Sequence, residues 1–204
     1  QNSPQLYDLT LLQREANSRF GFSAKNTLSI AQALYERHKV LTYPRTDSKH
    51  LPEDYIPTVT QTLQQQTQWQ FGKFAAEALE KKYVTPNKRI FNNAKISDHH
   101  AIIPTTSLPS NLSEPEQKIY LMVVQRFIAI FFPPAVFHNT RRLSVVQKET
   151  FLTEGKILVE AGWKAIYGTH GGGDQDKIIA PIPENAAISC RNIDKENLET
   201  KPPA

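Results

Sequence analysis

The sequence has little of several things, and each shortage narrows what the chain can be. Among its 204 residues there is a single cysteine, Cys190, so no disulfide can close within the chain. That fits a reducing, intracellular setting. No run of about 18 apolar residues occurs, which argues against a membrane-spanning helix. The longest apolar stretch, Phe127-Ile128-Ala129-Ile130-Phe131-Phe132, stops at Pro133-Pro134. No secretory signal opens the chain. It also lacks an initiator methionine and runs out at Lys201-Pro202-Pro203-Ala204 without a terminating element. These ends read as those of a piece of a longer protein. No internal repeat is visible.

What is present is a soluble, globular composition, with 39% apolar and 22% charged residues. At this length one large domain or two smaller ones are expected. The net charge of +4 permits a polyanionic partner without requiring one. The excess gathers early. Residues 1–50 hold seven basic side chains (Arg14, Arg19, Lys25, Arg37, Lys39, Arg45, Lys49) against four acidic ones (Asp8, Glu15, Glu36, Asp47), a local balance of +3.

Periodicity places the elements. Leu9, Leu12, Ala16 and Phe20 recur at helical spacing, and Gly21 is a stop signal. Ser23 is a candidate N-cap for a second helix, with Leu28, Ala31, Leu34 and His38 on one face. Two such helices about a glycine turn resemble a helix-turn-helix unit. Val40-Leu41-Thr42 reads as a short strand. A third helix is expected near Pro52, with Ile56, Val59 and Leu63 facing inward, running into a glutamine-rich patch (Gln61 to Gln70) read as a polar face or loop. Phe74 to Tyr83 is a further short helix. Ser113 and Glu116 form a capping box, with Pro115 in the first turn of a long helix that ends at Phe132-Pro133-Pro134. Beyond it, Arg141 to Val146 and Phe151 to Val159 are rich in β-branched residues, with Gly155 and Gly162 as punctuation. Gly171-Gly172-Gly173-Asp174 reads as a loop and Ile178 to Ile188 as extended chain. The division expected is a helical domain over 1–132 and a β-rich part over 133–204.

The residues with the most chemistry are Tyr43-Pro44-Arg45-Thr46-Asp47-Ser48. A phenol is a nucleophile toward a phosphodiester once cations lower its cost of ionisation, since its free pKa is about 10. A guanidinium is the natural clamp for the oxygens of the attacked phosphorus. Pro44 biases Tyr43 toward extended backbone, where residues two apart share a face. Tyr43 and Arg45 are thus expected to reach one phosphate, with Asp47 on the same face to orient Arg45. The competing reading is a structural tyrosine followed by a turn. A second constellation is Ser97-Asp98-His99-His100-Ala101-Ile102-Ile103-Pro104-Thr105, in which one histidine can bind a phosphate or move a proton. Here the competing readings are surface or capping duty, and metal ligation by Asp98, His99 and His100.

Three segments carry a resemblance: Leu11-Leu12-Gln13-Arg14-Glu15-Ala16-Asn17, Gly21-Phe22-Ser23-Ala24-Lys25 and Thr42 to Ser48. Together they are similar to the active-site region of type IA DNA topoisomerases. Pro44 and the run His99 to Thr105 bring the sequence nearest to the bacterial topoisomerase III branch. The resemblance implies an α+β, multidomain architecture, in which a helical, winged-helix-like domain with the active-site tyrosine leads into a β-rich part of the hinge, or gate, domain. It implies Tyr43 as the nucleophile that forms a 5′-phosphotyrosyl bond with single-stranded DNA, Arg45 at the scissile phosphate, and His99 beside the tyrosine at the phosphate or the DNA. His100 matches a position that varies in type. Thr46 and Asp47 would order the DNA-contacting loop. Resealing would need no ATP.

The resemblance also implies a partner segment. In the family the tyrosine works against an acidic, Mg²⁺-binding TOPRIM domain, and no Asp-x-Asp precedes Asp98 here. Magnesium is therefore expected on other domains of the same polypeptide, with no metal on these residues, and the 204-residue chain alone is expected to be inactive. The setting implied is the bacterial cytoplasm, with nucleoid or plasmid association and no membrane. Two other classes compete. A manganese-dependent phosphoesterase would need further aspartates upstream, where only Asp8, Asp47 and Asp54 stand, widely spaced. A non-enzymatic DNA-binding module would use Arg14, Lys25 and Arg37 with Tyr7, Phe22 and Tyr35 for salt-dependent strand binding. Phe20, Phe22 and Tyr35 are read as core.

Overall fold

The computed structural model describes residues 1–168, 179, 182–187 and 189. Cys190, the Gly171–Asp174 stretch and four residues of the extended chain expected over Ile178–Ile188 (Ile178, Ala180, Pro181 and Ile188) lie outside the described residues, and the described part of that chain forms a turn at Glu184-Asn185 rather than a strand. Helix α1 spans Leu9–Phe20. Asp8 caps it, its carboxylate accepting from Leu11 N at 2.6 Å, and Gly21 ends it at φ 70°, a left-handed conformation that glycine adopts without a Cβ clash. Helix α2 follows as Ala24–Glu36, with Ser23 Oγ accepting from Asn26 N. Its buried face is Thr27, Ile30, Ala31 and Leu34, so the stripe expected from Leu28 and His38 is rotated toward Thr27 and Ile30.

Helix α3 covers Ile56–Gln66, four residues later than Pro52 implied, and α4 covers Gly72–Glu80. The glutamine-rich patch is not merely a polar face. Gln66 is fully buried and donates to Tyr120 Oη at 2.9 Å. Helix α5 spans Glu114–Ala129. Its capping box is formed, with Ser113 N and Oγ donating to Glu116 Oε2 at 2.9 and 2.7 Å.

The core sits where α5 meets α1–α4. Ile119, Tyr120, Val123, Val124, Phe127 and Ile128 pack there with Leu12, Ala16, Leu34, Val59 and Leu63, all fully or almost fully buried. One charged residue lies inside it. Arg126 is 4% exposed, with hydrogen bonds to Tyr7 Oη (3.1 Å), the Gln5 carbonyl (3.0 Å) and Tyr167 Oη (2.9 Å), and an ion pair with Glu15. Every nitrogen of the guanidinium thus has a partner, as a buried cation requires.

After Pro134 two strands form an antiparallel ribbon, β1 Val136–Val146 and β2 Glu149–Glu160. The register runs from Phe137↔Leu158 to Val146↔Glu149, with an irregularity at Val136/Phe137. Gln147 and Lys148 make the turn at φ 49° and 73°, the twist that joins two strands tightly. Gly155 lies inside β2 rather than breaking it. A 3₁₀ segment, Gly162–Tyr167, then returns the chain to α5, where Gln125 Nε2 donates to the Ile166 carbonyl at 2.9 Å.

Candidate active site

The segment around Tyr43 is not a regular strand. Val40-Leu41-Thr42 contributes only a single bridge, Leu41↔Pro104, and the backbone bends at Pro44. Its shape comes from short polar side chains bonded to the segment 95–105. Thr42 N donates to the Ile103 carbonyl at 3.0 Å, and Ile103 N donates back to Thr42 Oγ1 at 3.0 Å. Thr46, which is buried, donates to the His99 carbonyl at 2.8 Å and accepts from Ser48 N at 3.1 Å. Ser48 Oγ donates to the Lys95 carbonyl at 2.8 Å. On the other side, Leu9 N donates to the Thr46 carbonyl at 3.0 Å, and Lys49 pairs with the α1 cap Asp8 at 3.3 Å. The loop is therefore anchored to the segment 95–105 by hydroxyls that an alanine would not supply, and to the start of α1 by a backbone bond and an ion pair.

This anchoring brings Tyr43 and His99 together. Their ring centroids lie 4.4 Å apart at 48°, although 56 positions separate them in the chain. Tyr43 is half-buried, with the Tyr35 ring of α2 edge-on to it at 5.4 Å. Arg45 is exposed and donates to Gln32 Oε1 on α2 at 3.3 Å. Gln32 and Tyr35 stand three apart in α2 and so share a helix face. Tyr43 and Arg45 thus project to the same side, as the extended reading required. Asp47 behaves otherwise. It accepts from Ser97 Oγ at 3.1 Å, which ties the two loops together, rather than orienting Arg45.

A cavity of about 170 Å³ is lined by Tyr43, Pro52, Ile96, Asp98, His99 and His100. The two histidines differ in kind. His99 is exposed beside the tyrosine, while His100 is half-buried between Tyr55 Oη (3.2 Å from Nε2) and the Ala101 carbonyl (2.8 Å from Nδ1). Burial pulls the His100 pKa below the ordinary histidine value, against the bond to Ala101, and His99 lowers it further. Behind the histidine segment, where Ala101 N donates to the His50 carbonyl at 3.0 Å, burial and then Lys95 and Lys49 hold the His50 pKa below its ordinary value, which marks a basic neighbourhood. A half-open site with an accessible phenol, an exposed guanidinium and an imidazole is suited to an anionic ester.

Sequence reasoning missed Tyr35, Gln32 and Thr42 as parts of this site. From the sequence Tyr35 reads as core, whereas it is half-buried against Tyr43, and only the spacing Gln32–Tyr35 against Tyr43–Arg45 carries a signal. Arg37, counted as a free cation for strand binding, is instead ion-paired with Glu116 at the start of α5. Among the described residues no three His, Cys, Asp or Glu side chains gather as metal ligands, so Asp98, His99 and His100 do not form a manganese site. Nor is any helix among them long and apolar enough to cross a membrane.

A family model described as DNA topoisomerase matches residues 1–204. DNA topoisomerase 3 of Bacillus licheniformis is 42% identical over 208 residues, and that of Bacillus subtilis 39% over 209. Each alignment covers 99% of this chain but 28% and 29% of those proteins, so the chain spans less than a third of their length. The fold is similar to full-length topoisomerase I from Thermotoga maritima, with a TM-score of 0.63 and 22% identity over 90% of this chain and 29% of that one. With a family model matched end to end, relatives about 40% identical across the chain, and a tyrosine and a histidine gathered at one cavity, this chain belongs to the type IA DNA topoisomerases and is topoisomerase III-like.

Proposed function

We propose that this chain is the tyrosine-bearing central segment of a longer topoisomerase, which cleaves single-stranded DNA through Tyr43, lets another strand pass and reseals the break. The observation that carries this reading is the packing of Tyr43 against His99, with Arg45 projecting to the same side. Tyr43 Oη attacks a backbone phosphorus, an O–P bond forms, and the bond from phosphorus to the 3′ oxygen breaks. The phenolic proton is lost to solvent and the released 3′ oxygen gains one. Arg45 sits on the non-bridging oxygens, where charge builds in the transition state. His99 donates to the same phosphate from beside the ring. The reverse reaction exchanges one ester for another, so resealing needs no ATP.

Thr46 and Asp47 shape the DNA-contacting loop through the His99 carbonyl and Ser97. Residues 1–132 form the helical, winged-helix-like tyrosine domain. Residues 133–204 belong to the β-rich part of the gate domain, a reading supported by the β1–β2 ribbon. The magnesium that the family implies does not fit the described residues, which offer no ligand cluster, and no step here runs through it. The partners are single-stranded DNA and the remaining domains of the same polypeptide, and the setting proposed is the bacterial cytoplasm, a reading supported by the bacterial origin of the relatives.

The test is covalent trapping on a labelled single-stranded oligonucleotide by the full-length enzyme carrying this chain. Tyr43→Phe removes the adduct entirely while noncovalent binding persists. An adduct that survives Tyr43→Phe overturns the assignment. The 204-residue chain alone, given Mg²⁺, leaves supercoiled plasmid unrelaxed. Relaxation by it would show that these residues suffice and sink the proposed division of labour.

A further inference from the structure

Two side chains converge on one buried carbonyl beside the cavity. Thr42 Oγ1 donates to the Ala101 carbonyl at 3.2 Å, and His100 Nδ1 lies 2.8 Å from the same oxygen. A carbonyl only accepts, so this contact places the His100 proton on Nδ1. Nε2 is then the acceptor for Tyr55 Oη, 3.2 Å away at the start of α3. Ala101 is fully buried, and its own N–H is held by the His50 carbonyl at 3.0 Å, so its carbonyl cannot follow a donor that moves.

The positions of these donors in the chain give the contact its meaning. Thr42 immediately precedes Tyr43, and His100 immediately follows His99. The Ala101 carbonyl is thus the joint between the tyrosine segment and the histidine segment. We propose that His100 is a positioning residue for the tyrosine–histidine pair: its Nδ1 fixes the Ala101 carbonyl on which Thr42 also docks, its Nε2 ties the histidine segment to Tyr55 at the start of α3, and together these bonds set where the His99 ring meets Tyr43. The proposal rests on the cleavage reading above. His100 itself makes its ring contact with Tyr55, at 4.8 Å, while the ring contact with Tyr43 belongs to His99. The groups around it are Tyr55 from α3, Tyr43 across the cavity, Asp98 and His99 on its own segment, and His50 with Lys49 and Lys95 on the far side of Ala101. None of these charges pairs directly with the His100 ring, which is consistent with a neutral imidazole used for its two directional bonds rather than for charge.

A positioning role separates the rate of chemistry from binding, because a small displacement of reacting groups slows cleavage without removing any DNA contact. In the full-length enzyme, the rate of adduct formation on a saturating single-stranded oligonucleotide is measured beside the noncovalent Kd. His100→Leu lowers the rate about tenfold with Kd unchanged. His100→Asn, whose side-chain amide nitrogen takes the place of Nδ1 and can still donate to Ala101, recovers most of that loss. Tyr55→Phe, which keeps the shape and removes one hydroxyl, slows cleavage by about two- to threefold and stands in if His100→Leu fails to fold. Equal losses in the Leu and Asn variants, an unchanged rate in His100→Leu and Tyr55→Phe, or a Kd that weakens in step with the rate would each overturn the proposal. Its failure is distinct from that of the cleavage reading, which falls only if Tyr43→Phe still yields the adduct.

Discussion

The helical region and the β-ribbon meet at Pro133-Pro134, yet they hold their shape by different means. In the helical region, large side chains such as Tyr7, Phe127 and Tyr120 are fully buried, with the Tyr120 hydroxyl held by Gln66 and the Tyr7 hydroxyl by Arg126. In the ribbon, Leu143, Val145, Phe151, Leu152 and Val159 are 46–68% exposed on strands whose backbone pairing is nearly complete. The first region is held by apolar burial, the second by a hydrogen-bonded ladder, cross-strand pairs and a tight turn. All of the proposed chemistry sits in the first. Rigid placement of Tyr43 and His99 needs a core behind them, and a two-stranded ribbon has none to offer.

The sharpest way to sharpen this contrast is to open the core. Phe127 is fully buried, with its ring edge-on to Phe131 at 5.5 Å. Phe127→Ala removes that packing and leaves a cavity, at a cost of about 3–5 kcal/mol. Chemical denaturation of the 204-residue chain should show the full loss at the midpoint. A loss of about 1 kcal/mol or less would mean that α5 is not the centre of the fold.

A second, smaller effect probes how α5 is fastened to α2. Glu116 accepts from Ser113 N and Oγ, from Arg37, and meets His38 Nε2 at 3.2 Å. Burial opposes its ionisation, but these donors outweigh burial and bring its pKa from 4.5 down to about 2. Because the folded value is depressed, this stabilisation is complete above the ordinary carboxylate pKa and is lost as pH falls toward about 2. Arg37 is largely exposed, so solvent screens part of it, and about 1–3 kcal/mol is expected at neutral pH. Glu116→Gln should be weaker than the native chain by that amount at pH 7, and the two stability curves should converge toward pH 2. Curves that stay parallel across the range would disprove the coupling.

How much of this was legible depended on the range of the interactions. Local signals served well. Gly21 ended α1, Ser23 capped α2, and the Ser113–Glu116 box began α5, because caps are settled within four residues. Rotation about the helix axis was less legible, since the α2 stripe of Leu28 and His38 gave way to Thr27 and Ile30 under tertiary packing. Gln66 read as polar surface because nothing local reveals a Tyr120 hydroxyl 54 positions away. The candidate site divides in the same way. Tyr43, Arg45 and His99 stood out by chemistry and by family resemblance. Their arrangement depends on Thr42, Thr46 and Ser48 bonding to backbone carbonyls of a distant loop, and hydroxyls in such roles leave no pattern in one sequence. Arg126 shows the same limit, since only the fold reveals that Tyr7, Glu15 and Tyr167 surround it.

The smallest expected effect tests the other side of the comparison. Leu143 and Leu152 are direct cross-strand partners in the ribbon, 63% and 48% exposed. Threonine brings the branched Cβ that strands favour and gives up only apolar area that is already about half or more in water. Leu143→Thr and Leu152→Thr should therefore each shift the stability of the 204-residue chain by no more than about 0.5 kcal/mol, against the several lost at Phe127. A loss above about 2 kcal/mol from either would show that this face packs against something in solution, because one cross-strand neighbour leaves each side chain little burial to lose. The ribbon would then be held by burial, as the helical region is, and the contrast between the two regions would fail.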